Sequence, residues 1–293
     1  MPAAEVSVSP DLVRRLLAAQ QPDLAHLPVR VMAYGWDNLM YRLGDELAVR
    51  LPRRAAAAGL IVHEQRWLPV VAPRLPLPVP VPVRAGRAAL GYPWPWSVVP
   101  FLPGGLAARE PPADPADAAA SLAGFLAALH TPAPPDAPAN PHRGIPLAER
   151  AAVVTGNLSV LGGLVDRRAV TRAWRAALAA PVWGGAPVWL HGDLHPANIL
   201  VHRGRISAVI DFGDITAGDP ATDLSVAWML LPAGCHRAFR DAYHAAGGPA
   251  DGGGIWARAR GWALALSLAC LANSADNPLI AAMGRRTMDA VLG

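Results

Sequence analysis

Two neighbouring segments of the chain combine short apolar runs with a compact set of polar side chains. Residues 188–200 read VWLHGDLHPANIL and residues 206–214 read ISAVIDFGD, with a short turn at His202–Arg205 between them. Burying carboxylates is costly unless they are paired, hydrogen-bonded or bound to a metal. A hairpin that carries such groups therefore predicts a functional site, and its carboxyl and amide oxygens suit Mg²⁺ and phosphate chemistry better than zinc.

The composition predicts a globular chain that is long enough for one large domain or two lobes. Of its 293 residues, 53% are hydrophobic and 16% are charged, which argues against disorder. The best candidate for an apolar span, Trp262–Ala272, is too short to cross a bilayer and predicts a buried helix. Residues 1–15 lack the basic-then-apolar pattern of a signal peptide, so we expect a cytoplasmic protein. The two cysteines are too few for a disulfide framework and predict free thiols.

The charge pattern argues against a nucleic-acid partner. The net charge of +4 is spread along the chain, with no basic run longer than a pair. All 26 basic residues are arginine. Any role that another protein gives to lysine must therefore fall to arginine or stay vacant.

The first hundred residues predict a small β-rich lobe. Ser9 and Pro10 have the pattern of a helix start, and a longer helix is predicted over 53–72. Prolines at every second or third position then exclude helix and predict an edge strand, a turn at 85–87 and a strand over 97–101. Three short β-type runs lie between the two helices: Val29–Tyr34, Leu39–Leu43 and Leu47–Leu51.

The rest of the chain is predicted to be mostly helical, with the polar hairpin inserted in it. The break at Pro103-Gly104-Gly105 marks the boundary between the lobes. The fold class is therefore α+β, with a small antiparallel-sheet lobe and one main helix over 1–102, and a larger helical lobe over 103–293. The predicted helices are Asp114–His130, Leu147–Leu164, Arg167–Ala180, one opened by Asp219-Pro220, His236–Ala246, Ile255–Ala272 and Pro278–Leu292.

The polar hairpin suits phosphoryl transfer from a nucleotide, in which catalysis is mainly positioning and electrostatics. That reaction needs a group near the acceptor hydroxyl and oxygen ligands for Mg²⁺. Asp193 is the candidate base or acceptor-positioning group. Asn198, five residues further on, and Asp211, at the end of the next strand, are the candidate metal ligands.

The predicted β-rich lobe supplies candidates for binding the nucleotide phosphates. Arg50, at the end of a β-run, is the candidate cation, and Glu64 would hold it by a bidentate pair. The turn formed by Gly35, Trp36, Asp37 and Asn38 joins two β-runs, and its backbone amides would face an anion.

The segments HGDLHPANIL, IDFGD and GDPATDL together resemble the aminoglycoside phosphotransferase family, which has the two-lobed protein-kinase-like fold. The resemblance runs from about Tyr34 to the C-terminus and is most specific over 190–224. It implies transfer of the γ-phosphate of ATP or GTP to a hydroxyl of a small molecule, with Mg²⁺ as cofactor and a site between the lobes. Arg50 stands where the family usually has a lysine. The segment 98–102, with Val99 and Phe101, matches the hinge whose backbone holds adenine.

Several other polar residues of these segments have both a functional and a structural interpretation. His191 is expected to bond to backbone near Asp211 rather than to titrate. Asp214 is a candidate for contact with metal or acceptor, and equally for a cap or loop bond. Asp219 and Asp223 are expected to be caps and backbone acceptors that support the catalytic loop.

The acceptor is the least constrained part of the prediction. The resemblance favours antibiotics, aminoglycosides before macrolides, with an amino-alcohol or sugar metabolite as the alternative. Trp256 and Trp262 lie in the helical segment where the family builds its acceptor site. Only seven acids and no glutamate follow Asp211, which is a sparse supply for a polycation. Arg50 also leaves open a catalytically weak nucleotide-binding module, and the chain is expected to be a monomer or a homodimer.

Overall fold

A computed structural model describes residues 3–34 and 37–293, and of Ala33 and Tyr34 the backbone only. The strands are β1 (Val29–Tyr34), β2 (Asn38–Leu43), β3 (Leu47–Pro52), β4 (Arg84–Gly86), β5 (Trp96–Pro100), β6 (Gly105–Leu106), β7 (Val188–Leu190), β8 (Ile199–His202), β9 (Arg205–Val209) and β10 (Thr216–Gly218). The helices are α1 (Pro10–Gln20), α2 (Ala55–Val71), α3 (Pro115–Leu129), α4 (Ala151–Leu161), α5 (Arg167–Leu178), α6 (Ala221–Leu224), α7 (Val226–Leu230), α8 (His236–Ala245), α9 (Gly254–Asn273) and α10 (Pro278–Leu292).

The chain forms two compact units, the first made of the described residues of 1–73, 78–103 and 211–215. Its antiparallel sheet has the order β1-β2-β3-β5-β4. Alternating side chains of β3 point to opposite faces: Val49 and Leu51 join a core with α1, so Arg50 points to the other face. The predicted β-runs and both predicted helices are confirmed, and Ser9 caps α1 by accepting from the backbone of Leu12.

The predicted turn at 85–87 is wrong, because Arg84–Gly86 is strand β4 and pairs with β5. The chain reverses further on, where Leu90 has a φ of 54° and Gly91 a φ of 83°. Gly86 is needed for close packing: a Cβ there would lie 1.9 Å from the Trp96 ring. A glycine that signals a turn by composition can equally make room for a buried indole.

The second unit comprises residues 74–77, 104–210 and 216–293. Its helix α9 is buried along most of its length and packs on α4, α5, α6, α7 and α10. Strands β6, β8 and β9 form one small sheet, and β7 pairs with β10. The helix predicted after Pro220 is two short helices, α6 and α7, and the Ser225 hydroxyl donates to the carbonyl of Thr222 at their junction.

The structure also describes the longest apolar helices and the two cysteines. Within residues 3–34 and 37–293, no helix is long and apolar enough to cross a membrane. Both cysteines are free thiols, as predicted.

Candidate active site

The loop that follows β7 is held by backbone hydrogen bonds to one buried carboxylate. The amides of His191 and Gly192 donate to the two oxygens of Asp223, at 2.7 and 3.0 Å. The His191 ring accepts from the amide of Asp193 at Nδ1, so its Nε2–H donates to the carbonyl of Ile210, 2.9 Å away. These contacts are the structural roles expected for His191 and Asp223, and they fix the backbone at Asp193.

The Asp193 carboxylate is half-buried, and both of its oxygens are close to basic side chains. Arg143 Nη2 donates to Oδ1 at 2.8 Å, and His195 Nε2 lies 3.3 Å from Oδ2. Burial raises the pKa of a carboxyl, but the charges of His195 and Arg143 outweigh it here and hold the pKa of Asp193 well below its usual range. Asp193 is therefore ionised at neutral pH and can accept a hydrogen bond from a hydroxyl.

Asn198 is oriented so that its amide oxygen is available to a ligand. Its Nδ2 donates to the carbonyl of Asp193 at 2.9 Å, which leaves Oδ1 directed elsewhere. Among the described residues, nothing donates a hydrogen bond to that oxygen. An amide oxygen with no protein partner fits the hard-oxygen ligand set of Mg²⁺.

In the first unit, the guanidinium of Arg50 contacts three side chains. Nη1 donates to Glu64 Oε2 at 2.5 Å, and Nη2 pairs with Asp211 Oδ1. With the Asn38 amide turned to satisfy both groups, its oxygen accepts from Nε at 3.2 Å and from Nη2 at 3.0 Å. The predicted Arg50–Glu64 pair is confirmed, but the prediction that it is bidentate is wrong because the fork is divided between Glu64 and Asp211.

The balance between burial and charge differs for the two buried members of this cluster, Arg50 and Glu64. Burial disfavours the charge on Arg50, but Asp211 and Glu64 outweigh burial and raise the pKa of Arg50. For Glu64, burial outweighs the attraction of Arg50 and raises its pKa to about 7. Glu64 Oε1 is also buried and has no hydrogen-bond partner among the described residues. Glu64 is therefore the less well satisfied member of the pair.

Asp211 combines a strained backbone with an accessible carboxylate. Its φ of 65° lies in the left-handed region, which is unusual for a residue with a side chain. The side chain is 50% exposed, and within the described chain its second oxygen has no protein partner. That oxygen fits a magnesium ligand. The described residues contain no cluster of three or more His, Cys, Asp or Glu that would hold a metal by itself.

The predicted phosphate cradle is only partly described. Gly35 and Trp36 lie outside the described residues. Asp37 forms an ion pair with Arg54, and its carbonyl accepts from the amide of Arg53 at 2.9 Å. The side chain of Asn38 contacts Arg50, whereas the sequence predicts that the backbone amide of Asn38 faces an anion.

The predicted hinge needs one correction. Val99 is buried in β5 opposite Ala48. The amide of Phe101 already donates to the carbonyl of Glu46 at 2.7 Å, so it is not available to a nucleotide base. The next residue, Leu102, is half-buried, and its amide makes no backbone hydrogen bond within the described chain. Leu102 therefore replaces Phe101 as the candidate donor of this segment.

Asp219 and Asp214 differ in what holds them. Asp219 accepts from the amide of Ala221, the first residue of α6, and it forms a buried bidentate pair with Arg258 at 2.6 and 3.1 Å. This matches the expected structural interpretation of Asp219. Asp214 is half-buried at the end of a short turn, Phe212–Asp214, in the first unit. Its contact with metal or acceptor stays a prediction.

Neither predicted acceptor tryptophan presents an exposed ring. Trp256 is 6% exposed, stacks edge-on against Phe239 and Tyr243, and donates its Nε1–H to His244. Trp262 is fully buried on α9. Both are core residues because α9 is covered by helices along most of its length.

Arg143 was not predicted from the sequence, although it contacts Asp193. Its segment is fixed by hydrogen bonds at both ends. Thr216 Oγ1 donates to the carbonyl of Pro138 at 2.7 Å, and Gly144 bonds through its amide to Thr222 Oγ1 and through its carbonyl to the amide of Asp219. The GDPATDL segment thus holds the loop that carries Arg143. The only local signal was the glycine after Arg143, which takes a φ of 70°.

Comparisons with known proteins identify the fold and the family of this chain. The structure is similar to a GDP complex of aminoglycoside 2'-phosphotransferase-IIIa, with a TM-score of 0.69 and 17% identity over 97% of this chain and 99% of that one. It is also similar to a macrolide 2'-phosphotransferase from Brachybacterium faecium, with a TM-score of 0.61 and 24% identity over 96% and 97% of the two chains. No curated protein matched the sequence. Because residues 28–262 match the phosphotransferase enzyme family (APH), the chain belongs to that family and is a small-molecule phosphotransferase with the protein-kinase-like fold.

Proposed function

We propose that this phosphotransferase moves the γ-phosphate of ATP or GTP to a hydroxyl of a small molecule. The observation that carries the proposal is the Asp193 carboxylate, which contacts Arg143 and His195 in a loop fixed by Asp223. The acceptor oxygen bonds to the γ-phosphorus as the bond to the β–γ bridging oxygen breaks. The nucleoside diphosphate leaves, and Asp193 accepts or orients the hydroxyl proton.

We propose separate residues for the phosphates, the base and the metal ion of the donor. Arg50 would contact the phosphates, and the 98–102 segment, through Leu102 and the backbone near Val99, would bind the base. Mg²⁺, when bound, neutralises charge on the phosphate oxygens. Asn198 and Asp211 would hold it, since each has one oxygen without a protein partner among the described residues. A similar protein was solved with both GDP and kanamycin, with a TM-score of 0.70 and 18% identity, which supports a nucleotide donor.

The acceptor proposed first is the hydroxyl of an antibiotic, since the similar structures are aminoglycoside and macrolide phosphotransferases. An amino-alcohol or sugar metabolite is the alternative within the same chemistry. One observation weighs against a polycation: the carboxylates of Asp219 and Asp251 both pair with Arg258. Those charges are already neutralised and do not serve to attract an aminoglycoside.

A second candidate function is a nucleotide-binding module with weak catalysis. It is favoured by Arg50, which stands in the place of the expected lysine and already contacts Glu64, Asp211 and Asn38. A nucleotide phosphate would have to compete with those three acceptors for the guanidinium.

One experiment separates the two candidates. The melting temperature is measured with Mg²⁺·ATP and Mg²⁺·GTP, and nucleotide turnover is then measured with a panel of aminoglycosides, macrolides and small alcohols. Stabilisation by a nucleotide together with acceptor-stimulated turnover supports the phosphotransferase. Stabilisation without turnover for any acceptor supports the binding module, and no stabilisation by either nucleotide contradicts both.

A further inference from the structure

A buried series of three side chains connects helix α8 to the loop that follows β7. The hydroxyl of Tyr243 lies 2.8 Å from Nδ1 of His130, and His130 Nε2 lies 3.3 Å from Oδ2 of Asp223. The rings of His130 and Tyr243 also meet edge to face, with their centroids 5.7 Å apart. None of the three residues is more than 3% exposed. Polar groups that are buried this deeply depend on one another for hydrogen bonds.

The direction of each hydrogen bond follows from the available donors and acceptors. Among the described residues, Nδ1 of His130 is the only acceptor within reach of the buried Tyr243 hydroxyl. Burial, and after it the charges of Asp223 and Asp219, raise the pKa of Tyr243, so its hydroxyl keeps its proton at neutral pH. Tyr243 therefore donates to Nδ1. An imidazole that accepts at Nδ1 carries its proton on Nε2, from where His130 donates to Asp223.

The Asp223 carboxylate holds the loop by the same two oxygens. Oδ2 accepts from the amide of His191 at 2.7 Å, and Oδ1 accepts from the amide of Gly192 at 3.0 Å. The next residue of the loop is Asp193. Within the described chain, His130 is the one partner of this carboxylate that lies outside the loop. Without His130, Asp223 would be oriented only by the two amides that it has to fix.

A second buried tyrosine shows what a purely structural hydroxyl looks like in this chain. Tyr92, in the first unit, is 1% exposed and donates to the carbonyl of Pro52 at 2.9 Å. Its acceptor is a backbone carbonyl, whose direction is set by the chain itself. Tyr243 instead donates to a side chain whose other nitrogen donates to the Asp223 carboxylate. Its hydroxyl can therefore affect the orientation of groups beyond its direct partner.

We infer that His130 and Tyr243 are positioning residues for phosphoryl transfer. Tyr243 orients the ring of His130 so that Nε2–H donates to Asp223. The carboxylate of Asp223, oriented in that way, keeps the loop in the conformation that presents Asp193 to the acceptor hydroxyl. The inference rests on the proposed function for the role of Asp193. It gives a part in turnover to two buried residues that act only through another side chain.

Two substitutions at His130 separate positioning from packing. The side-chain nitrogen of glutamine reaches about as far as Nε2 of histidine, whereas that of asparagine reaches only about as far as Nδ1. His130→Gln is therefore expected to keep the donor to Asp223 and most of kcat. His130→Asn is expected to lower kcat by a factor of about 10 to 10², with KM for the nucleotide unchanged in both. Both variants lose the ring, so an equal kcat in the two overturns the inference.

A second measurement needs neither nucleotide nor acceptor. Hydrogen exchange of the amides of His191 and Gly192 is followed by NMR in wild type, Tyr243→Phe and the matched control Tyr92→Phe. Tyr243→Phe is expected to speed exchange of both amides about tenfold, the factor that corresponds to one buried hydrogen bond, whereas Tyr92→Phe leaves it unchanged. Equal exchange in the two variants overturns the inference.

The nitrogen shifts of His130 test the direction of the hydrogen bonds in the wild type. A proton on Nε2 alone is expected, and a proton on Nδ1 overturns the inference. If Tyr243→Phe does not fold, these shifts and the comparison of His130→Gln with His130→Asn still decide.

Failure of the inference is distinguishable from failure of the proposed function. Turnover by the wild type, with an equal kcat in His130→Gln and His130→Asn, would keep the phosphotransferase and reject the positioning roles. Faster amide exchange in Tyr243→Phe, without turnover by the wild type for any acceptor, would support the positioning of the loop and reject the proposed function.

Discussion

At the scale of the residue, Arg50 shows why arginine and lysine are not equivalent here. The guanidinium has five N–H donors in a planar fork, whereas an ammonium has three on a single nitrogen. Arg50 uses the fork to contact Glu64, Asp211 and Asn38 at once. The sequence predicts the pair with Glu64 because both residue types and their spacing are visible in it. The contact between Arg50 and Asp211, which lies 161 residues further along the chain, depends on tertiary packing.

Arg50→Met is expected to lower the free energy of unfolding by about 3–5 kcal/mol, because it leaves the buried Glu64 carboxylate without its cation. Urea unfolding at neutral pH measures the change. Arg14→Met serves as control, since Arg14 forms an exposed pair with Asp11 and its side chain is 51% exposed. A loss no larger in Arg50→Met than in the control would show that Arg50 does not stabilise this cluster.

The raised pKa of Glu64 predicts a pH dependence of stability. Its folded pKa of about 7 exceeds the ordinary value of 4.5, so between these values the folded state binds more protons than the unfolded state. This stabilising contribution is fully present below about pH 4.5 and is lost as the pH rises through about 7, with a slope of up to about 1.4 kcal/mol per pH unit. Glu64→Gln removes it. Urea unfolding across that range should therefore show a steeper decline in wild type than in Glu64→Gln, and parallel curves would contradict the assignment.

At the scale of the element, the loop that follows β7 is supported by residues on or next to three helices that are distant in sequence. Asp223 on α6 binds the loop backbone, and its Oδ2 lies 3.3 Å from Nε2 of His130, which follows α3. His130 Nδ1 is in turn 2.8 Å from the hydroxyl of Tyr243 on α8. The sequence predicts the support by Asp223 because this residue lies in the GDPATDL segment. His130 and Tyr243 have no such signal, because their contact is created only when α3 packs on α8.

Asp223→Ala is expected to destabilise the fold by about 2–5 kcal/mol, since two buried amides and His130 lose their acceptor. Chemical unfolding measures this loss. Asp241→Ala is the comparison, because the Asp241 side chain is 71% exposed and its ion pair with Arg237 is long, at 3.9 Å. Equal stability of the two variants would mean that the loop does not depend on Asp223.

Gly218→Ala tests the support of the Arg143 loop by β10. A Cβ at Gly218 would lie 2.1 Å from the carbonyl oxygen of Gly144, so we expect a loss of about 1–3 kcal/mol from overpacking and reduced turnover as Arg143 shifts. Gly124→Ala in α3 meets no atom within 4 Å and should instead stabilise by about 0.5–1 kcal/mol. Thermal unfolding of both variants checks the contrast, and unchanged stability and turnover in Gly218→Ala would contradict it.

At the scale of the whole molecule, the sequence predicts the fold class and most elements, because short β-runs and helical periodicity are local patterns. It mispredicts the turn at 85–87, where Gly86 makes room for Trp96, and it treats α6 and α7 as one helix. It also misses Arg143. Arg143 is an isolated arginine near a proline-rich loop, and its contact with Asp193 arises only from tertiary packing. Residue type can identify the reaction, whereas the acceptor depends on such contacts.

We propose that Asp193 is the residue that carries phosphoryl transfer. The most direct measurement is acceptor-stimulated nucleotide turnover of wild type, Asp193→Ala and the exposed control Asp289→Ala, with the nucleotide-induced melting shift recorded for each. We expect a loss of turnover by a factor of about 10² or more in Asp193→Ala, an unchanged melting shift, and normal turnover in Asp289→Ala. Near-normal turnover in Asp193→Ala would contradict it.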